Sequence, residues 1–395
     1  MLRGKGDIHR SKPPTQPNRT DLVRRAAALA AAGAPAADQH RQLNPSVVDA
    51  LIEAGFARHF VPRRWGGVAG TFGELAHAAA EVAEGCASAG WCGALWAAHA
   101  RFAGYLPEQG QRDLWGRSPD VVIAAAVLPP AGLAVATGDG WLLRGEWDFA
   151  SGVDFADWVL LAAPTSSARG PGRVRLFAVP QGDVGVRDSW QAVGLRGTGS
   201  NTVVVRESFV PDHRSVWFDE IINGLGSDGR PERARCHRVP AHLGGGVLFC
   251  APELGAARHA LSTWTRWASQ PGPTGVSPLA DSAAAREVLA RASAEIESAG
   301  LLLAAAADRA DFGSVGPEAV ARGRRDAAFA AESLVVSVER LVRSGGVHMR
   351  NAHGELLRCW RDVHTVASHA ALRLDAAASG YAAALPARPE WRANG

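Results

Sequence analysis

Six short β-rich runs follow one another between residues 121 and 210, and they restrict the possible folds more than any other part of the chain. They are VVIAAAV, GLAVA, WLLRGEW, DWVLLAA, RVRLFAVP and NTVVVRESFV, separated by glycine, proline and aspartate turns. A doubly wound parallel sheet would need helices between its strands, and none separates these runs. The pattern therefore predicts an antiparallel barrel or sandwich.

Helical patterns flank the β-rich stretch on both sides. Upstream, Asn44-Pro45 has the form of an N-cap followed by proline at the first helical position, and Thr71-x-x-Glu74 has the form of a capping box. Downstream, four long segments rich in alanine, leucine and arginine predict an up-and-down helical bundle. These segments cover residues 240–270, 281–312, 317–343 and 354–385.

The order of these patterns predicts an α+β chain with three folded parts. A chain of 395 residues can form several domains with substantial cores. The first residues are polar and proline-rich, a composition typical of disorder. We expect a disordered tail at 1–19, an N-terminal helical domain at 20–118, an antiparallel β-barrel domain at 119–232 and a C-terminal four-helix bundle at 233–395.

Charge and cysteine content argue against several classes of protein. The net charge is only +3 and the arginines are scattered along the chain, so we expect no nucleic-acid partner. No window approaches about eighteen strongly apolar residues, so we expect no membrane span. The alanine-rich run after Arg24-Arg25 is a poor secretion signal. Five cysteines without a Cys-x-x-Cys pair favour a reducing cytoplasm.

The sequence lacks the motifs of several common enzyme classes. It contains no P-loop, no Gly-x-Ser-x-Gly and no His-Glu-x-x-His. GLRGTGSN does not have dinucleotide-binding spacing, and GGGVLF departs from it at Phe249, so no nicotinamide site is evident. His364 and His369 are five residues apart, which places them about 140° apart on a helix. We therefore expect no metal site at these histidines.

Several stretches together resemble one family, the two-component flavin-dependent monooxygenases of the acyl-CoA dehydrogenase fold. This family includes phenol and steroid-ring hydroxylases and the hydroxylases of aromatic polyketide pathways. The stretches are Glu84–Trp115, Trp141–Ala163, Gly194–Val205 with the FVPDHR that follows, and the W-R-D-x-H-x-x-x-x-H pattern of Trp360–His369. The resemblance covers nearly the whole chain and implies the helical, β-barrel and four-helix arrangement.

The resemblance implies the oxygenase component of such a system. It implies use of reduced FMN, in preference to FAD, supplied by a separate NAD(P)H:flavin oxidoreductase. The flavin would react with O2 at C4a, and the resulting hydroperoxide would hydroxylate a phenolic or polycyclic aromatic compound of antibiotic or other secondary metabolism. It also implies a homotetramer, since long alanine- and leucine-rich helices leave apolar faces to cover.

Three alternatives remain beside this interpretation. An N- or S-oxygenase of the same fold would share the flavin chemistry. Acyl-CoA dehydrogenases use a glutamate base, often in a Glu-Gly-Thr context near the start of the last bundle helix. The segment Arg358–Asp375 lacks that motif and carries histidines instead, which disfavours a dehydrogenase. The third alternative is an inactive homologue that serves as a partner subunit.

By this resemblance three residues are candidates for catalysis. Ser151 would form a hydrogen bond to flavin N5, or it is an ordinary turn serine. His369 would lie over the flavin, whereas His364 is the more structural of the two histidines. His99 would accept the proton of a phenolic substrate, or it is a half-buried structural histidine. Arg101 departs from the aromatic residue of the phenol hydroxylases and leaves the substrate class open.

The same resemblance gives further flavin-contacting candidates. Phe149 would pack against the flavin ring, or it belongs to the core. Trp91 would form a wall of the site, or it too belongs to the core. Arg196 and Thr198, with Ser200, either shape the GLRGTGSN loop or contact flavin or substrate. Ser151 and His369 complete the predicted cofactor-binding set.

Overall fold

A computed structural model describes residues 18–166, 172–225, 233–271, 275–346 and 354–385. Most of the predicted disordered tail lies outside these residues. The N-terminal helices of the described chain are α1 (Arg19–His40), α2 (Pro45–Glu53), α3 (Phe72–Gly85), α4 (Ala87–Ala103) and α5 (Glu108–Trp115). Both predicted helix starts are confirmed. Asn44 accepts a hydrogen bond from the Ser46 amide, and Thr71 and Glu74 form a reciprocal capping box.

Helix α4 is buried on nearly all sides, as expected of a helix that is apolar around its whole circumference. It contributes to each of the three apolar cores of the described chain. Trp91 packs with the C-terminal helices, Trp96 packs with the N-terminal helices and the sheets, and Ala100 packs beneath the first sheet. Residues on α4 can therefore reach all three regions of the molecule.

The β-rich stretch forms two four-stranded sheets, with strand orders β1-β4-β5-β8 and β2-β3-β7-β6. The six predicted runs each contain a strand, and the three-residue strands β6 and β8 were not predicted. The strands are β1 (Ile123–Ala126), β2 (Leu133–Thr137), β3 (Gly140–Ala150), β4 (Trp158–Pro164), β5 (Val174–Pro180), β6 (Gly185–Arg187), β7 (Asn201–Pro211) and β8 (Ser215–Trp217).

The antiparallel prediction is wrong for one pair of strands. β1 and β4 run parallel, with Ile123 opposite Trp158. Between them the chain forms β2 and β3 in the other sheet, so it returns in its original direction, which neighbouring parallel strands require. β4 is apolar throughout because both of its faces are covered. Leu161 faces the second sheet, and Leu160 faces α4 and α5.

The C-terminal region is a four-helix bundle of α7 (Ala241–Ala268), α9 (Ala283–Phe312), α10 (Pro317–Ser344) and α11 (Glu355–Ala367). The short helices α6 (Phe218–Asn223) and α8 (Pro278–Asp281) precede α7 and α9 respectively. Helix α7 also packs against α3 and α4. No helix of the described residues is long and apolar enough to cross a membrane.

The predicted helix at 354–385 is not continuous. Helix α11 ends at Ala367, a 3-10 turn covers Ala370–Leu372, and α12 (Leu374–Ala384) then packs on α10. His369 has an extended backbone and caps the 3-10 turn. Alanine-rich sequence favours helix, yet the helix is interrupted where the His369 ring makes the contacts described below.

Candidate active site

The site is centred on Trp91 of α4 and Ser151, which follows directly after β3. The Trp91 indole nitrogen donates a hydrogen bond to Ser151 Oγ at 3.1 Å, and both side chains are buried. The turn around Ser151 has an unusual backbone, because Phe149 has φ +68°. A non-glycine residue in this region is strained, and such strain is concentrated at functional sites. The structure thus brings together Ser151 and Trp91, two of the predicted site residues.

Three buried hydroxyl groups form a row that begins at Ser151. Ser151 Oγ lies 2.7 Å from Ser200 Oγ, which lies 2.7 Å from Thr198 Oγ1. Thr198 Oγ1 donates to the Leu195 carbonyl at 2.8 Å. The backbone also joins these segments, since the Gly152 amide donates to the Thr198 carbonyl at 2.8 Å. Thr198 is therefore connected to Ser151 through its hydroxyl as well as through its backbone.

The loop that carries Thr198 is fixed against α11. Leu195 has φ +49°, and its amide donates to Asp362 Oδ1 at 2.6 Å. A Cβ at Gly194 would lie 2.1 Å from the Arg361 carbonyl oxygen, so only glycine permits this approach. Burial raises the pKa of the Asp362 carboxyl to about 7, against the lowering effect of its hydrogen bond from Leu195. Asp362 is the aspartate of the W-R-D-x-H pattern, which gave no indication of this contact.

His369 packs in an aromatic cluster beside Trp91. Its ring centroid lies 4.2 Å from that of Phe249 on α7 and 5.9 Å from that of Trp91. The Ala371 amide donates to Nδ1 at 3.2 Å, so in the neutral ring the proton is on Nε2. Burial lowers the pKa of His369, which favours this neutral form. Phe249 was not predicted, since it lies in α7 at a position with no sequence motif.

His364 and His369 do not lie on one continuous helix, contrary to the expectation from their spacing. His369 lies beyond the end of α11, so the 140° separation does not apply. His364 packs on Trp360, with ring centroids 4.3 Å apart, and lies 3.9 Å from Glu339. These contacts place His364 within the bundle, away from the described contacts of Ser151 and Trp91, and they agree with the structural role expected of it.

Phe149 presents an exposed aromatic surface next to Ser151. Its side chain is 59% exposed, and its ring packs edge-on against Trp190 with centroids 6.3 Å apart. Trp190 in turn donates from its indole nitrogen to the Leu195 carbonyl at 3.0 Å. The core alternative for Phe149 is wrong, because a core side chain would be covered. Val193 on the adjoining loop is also largely exposed, at 67%.

The structure does not bring His99 into contact with this cluster. His99 follows Trp91 by eight residues on α4, which is about 12 Å along the helix axis. Its Nδ1 lies 2.9 Å from the Ile123 carbonyl on β1 and must donate to it. Burial lowers the pKa of His99 to about 4. The ring is therefore neutral near pH 7, and Nε2 carries a lone pair.

Arg101 and Arg196 are held by protein groups. Arg101 is buried and donates to the backbone carbonyls of Cys236 and Val239, which ties α4 to the segment before α7. Its presence beside His99 therefore has a structural explanation and does not require an anionic substrate. Arg196 donates to the Asp38 carbonyl at 2.8 Å and pairs with the Asp38 carboxylate. For Arg196 these contacts favour the loop-shaping interpretation.

A surface groove of about 190 Å³ lies elsewhere, between α3, α7 and α9. Its lining includes Ala76, His77, Leu254, Arg258 and Asp308, and none of the predicted site residues. The cluster around Ser151 instead consists of buried hydroxyl groups with the exposed apolar ring of Phe149 beside them. Such a surface suits a flat ligand that lies across it.

Comparisons with known proteins agree with this architecture. Residues 247–374 match the family model described as acyl-CoA dehydrogenase, C-terminal domain. The FADH2-dependent resorcinol hydroxylase, oxygenase component, of Rhizobium sp. is 31% identical over 392 residues, covering 93% of this chain and 94% of the relative. The flavin-dependent monooxygenase, oxygenase subunit HsaA, of Mycobacterium tuberculosis is 28% identical over 349 residues, covering 86% and 87%.

Solved structures give the same result. The 3-HSA hydroxylase of Rhodococcus sp. superposes with a TM-score of 0.85 and 28% identity, covering 92% of this chain and 95% of that one. XiaF of Streptomyces sp., solved with FADH2 and glycerol, has a TM-score of 0.84 and 26% identity, covering 92% and 94%. The fold is thus that of the acyl-CoA dehydrogenases.

Within that fold, the chain belongs to the family of oxygenase components of two-component flavin-dependent monooxygenases. The predicted enzyme class and the need for reduced flavin from a partner reductase are confirmed at this level. The predicted roles of individual residues stay predictions.

Proposed function

We propose that this chain binds reduced flavin beside Ser151 and hydroxylates an aromatic compound with O2. The observation that carries the proposal is the buried Ser151 hydroxyl, held by Trp91 and Ser200, next to the exposed ring of Phe149. The resorcinol hydroxylase relative supports a phenolic substrate. We keep reduced FMN as the predicted cofactor, with reduced FAD as the alternative that this relative's name supports.

The residues around Ser151 fit the shape and chemistry of a flavin ring system. A flavin is flat and apolar on its faces and polar at its edges. Phe149 offers an apolar surface, and Ser151 offers a hydrogen-bonding oxygen beside it. A bound reduced flavin supplies the electrons that activate O2. In the proposed site, Ser151 holds the N5 edge, and His369 contributes an N–H donor at Nε2.

The aromatic cluster of Trp91, Phe249 and His369 keeps water away from this polar edge. Trp91 is only 6% exposed, and its ring lies 5.6 Å from that of Phe249. Exclusion of water would strengthen the hydrogen bonds that Ser151 and His369 make to a bound flavin and would suppress side reactions with water. Trp91 is in this proposal a wall of the site as well as a hydrogen-bond donor.

His99 would bind the hydroxyl group of the substrate through Nε2. Its pKa of about 4 is roughly six units below that of a phenol. At this difference in pKa, complete transfer of the proton from a phenol to His99 would cost about 8 kcal/mol. We propose that His99 accepts a hydrogen bond and orients the hydroxyl, which changes the predicted role from base to acceptor.

The assembly and the location are proposed on separate observations. Exposed apolar side chains on α9 and α10, among them Leu301, Phe312 and Phe329, support a homotetramer built through the bundle. All five cysteines are buried free thiols, which supports the cytoplasm. The reductase that supplies the flavin would use NAD(P)H.

The test compares Ser151→Ala with the unaltered enzyme in the presence of reduced FMN or FAD, O2 and resorcinol as a first phenolic probe. Hydroxylated product is measured by mass spectrometry with ¹⁸O2, and hydrogen peroxide is measured in parallel. Loss of one hydrogen bond corresponds to about a tenfold rate effect. We expect the variant to release about tenfold more peroxide per product.

Ser379→Ala on the exposed face of α12 is the matched control, since its hydroxyl bonds the Asp375 carbonyl one turn earlier, and it should behave as the unaltered enzyme. Equal coupling of O2 use to product in the Ser151 variant would refute the assignment of Ser151. Failure of the unaltered protein to bind either reduced flavin would refute the site as a whole.

A further inference from the structure

The row of hydroxyl groups at Ser151 has a donor at one end and an acceptor at the other. The Trp91 indole N–H can only donate, and the Leu195 carbonyl can only accept. Between them lie Ser151, Ser200 and Thr198, with oxygen–oxygen distances of 2.7 Å at both steps. The terminal contacts are 3.1 Å from Trp91 to Ser151 and 2.8 Å from Thr198 to the Leu195 carbonyl.

One arrangement of the hydroxyl hydrogens forms all four of these bonds. Thr198 must donate to the Leu195 carbonyl, so Ser200 donates to Thr198, and Ser151 donates to Ser200. Trp91 occupies one lone pair of Ser151 Oγ, and the other lone pair stays free. Ser151 is then a hydrogen-bond acceptor toward any ligand, since its only hydrogen is committed to Ser200.

Burial protects this arrangement from water. Ser151, Thr198 and Ser200 are 4%, 2% and 5% exposed, so water has little access to replace a missing bond. Two hydrogen bonds from backbone amides hold the loop that carries Thr198 beside Ser151. The Gly152 amide donates to the Thr198 carbonyl, and the Leu195 amide donates to Asp362. The direction of the row is thus a property of the folded protein.

We propose that Thr198 and Ser200 are positioning residues that keep Ser151 an acceptor, so that the site selects flavin whose N5 carries a hydrogen. This inference rests on the proposed function, which places flavin N5 at Ser151. Reduced flavin has an N5–H donor, whereas oxidised flavin has only a lone pair at N5. With reduced flavin the row makes five hydrogen bonds. With oxidised flavin the row makes four hydrogen bonds. If Ser151 donates to N5, one of the other bonds of the row is lost, and if Ser151 donates to Ser200, N5 has no partner.

The expected selectivity is that of one net hydrogen bond, about fivefold to tenfold in affinity. Thr198→Val removes the hydroxyl that sets the direction while it keeps the shape of the side chain. In Thr198→Val, Ser151 can then either donate to Ser200 and accept from reduced N5–H, or accept from Ser200 and donate to oxidised N5. Both arrangements make the same number of hydrogen bonds. We expect the ratio of the oxidised-flavin Kd to the reduced-flavin Kd to fall about fivefold to tenfold, and Thr198→Ser to restore it.

The experiment is an anaerobic titration of apoprotein with oxidised FMN and with dithionite-reduced FMN, repeated with FAD. Ser200→Ala interrupts the row at its middle and should lower the ratio as Thr198→Val does, which provides a second variant if one folds poorly. Thr165→Val is the matched control, since the Thr165 hydroxyl also binds a backbone carbonyl, at 2.9 Å, but outside the row. Its ratio should equal that of the unaltered protein.

Ser151→Ala separates this inference from the proposed function. If Ser151→Ala lowers reduced-flavin affinity but Thr198→Val and Ser200→Ala keep the original ratio, flavin binds at Ser151 and the directional role is overturned. If none of these variants changes the affinity for either flavin, flavin does not bind at Ser151, and both proposals are wrong.

Discussion

His99 and His369 are bound to the backbone in opposite senses, and this determines what each ring offers to a ligand. At His99, Nδ1 donates to the Ile123 carbonyl and Nε2 can accept. At His369, Nδ1 accepts from the Ala371 amide and Nε2 can donate. Burial lowers the pKa of both rings and favours the neutral forms. One residue type thus supplies an acceptor at one place and a donor at the other.

For His99 we expect a moderate loss of activity on removal of the ring. If Nε2 only accepts a hydrogen bond from the substrate hydroxyl, His99→Ala should lower kcat/KM for a phenolic substrate by about tenfold. Because the pKa of His99 is about 4, its contribution should stay constant from about pH 5 upward and disappear as the pH falls through about 4. Steady-state rates across this pH range test both statements.

His364→Ala is the control for this measurement, since His364 lies in the bundle and should not affect kcat/KM. A loss of about 100-fold or more at His99 would show that the ring takes the proton, as general-base catalysis requires. Normal hydroxylation by His99→Ala would return His99 to a structural role.

Sequence patterns identified Ser151, Trp91 and His369, and the structure places these residues in one connected set of contacts. The patterns could not identify Phe249 or the partner of Asp362. Both contacts join segments far apart in the chain, Phe249 with Trp91 and Asp362 with Leu195. A single sequence contains no record of which distant residues meet, so such partners need a three-dimensional structure.

At the level of helices, α7 carries a buried acidic group without a hydrogen-bond partner. Both carboxyl oxygens of Glu253 lack a partner in the described residues, and the residue is 0% exposed. Burial raises the pKa of this carboxyl well above its usual value. The folded protein therefore keeps a proton on Glu253 that the unfolded chain releases as the pH rises above about 4.3.

Glu253→Gln should make the protein more stable than the unaltered chain, and increasingly so as the pH rises. A folded-state pKa above the unfolded value gives stability that is fully present below about pH 4.3 and is lost at higher pH. The loss is about 1.4 kcal/mol per pH unit while the folded carboxyl stays neutral. Chemical unfolding between about pH 5 and pH 7 measures this difference. Glu332→Gln, at an exposed position of α10, is the control and should show no such trend. The prediction would be contradicted if the free energy of unfolding of Glu253→Gln and that of the unaltered protein changed with pH in the same way.

The types of most elements followed from sequence, but two features depended on long-range packing. Short β-rich runs between turn residues indicated the strands, yet the parallel pairing of β1 with β4 results from the passage of the chain through the second sheet. Alanine-rich sequence gave the last helices, yet the break at His369 coincides with its packing on Phe249. Local composition and turn signals describe one segment at a time, and both features arise between segments.

At the level of the whole molecule, the outer face of the bundle predicts self-association. Leu301 and Phe312 on α9 and Phe329 on α10 are 67%, 78% and 54% exposed. Light scattering should give a mass four times the 41.4 kDa of the chain. Leu301→Glu combined with Phe329→Glu should lower this mass, because each buries a charge in the proposed interface.

Leu128→Glu is the control for the assembly experiment, since Leu128 is similarly exposed, at 53%, but lies in the loop after β1. It should leave the mass unchanged. A monodisperse monomer for the unaltered protein would refute the tetramer.

Helix α4 belongs to all three apolar cores, and the proposed flavin site lies on it at Trp91. Ser151 comes from the sheets, and His369 comes from the end of the bundle. A ligand that binds only when these parts are docked holds them together, by about 2.7 kcal/mol at one hundred times its Kd. We therefore expect the supply of reduced flavin to determine how long this protein resists proteolysis in the cell, in addition to setting its rate of catalysis.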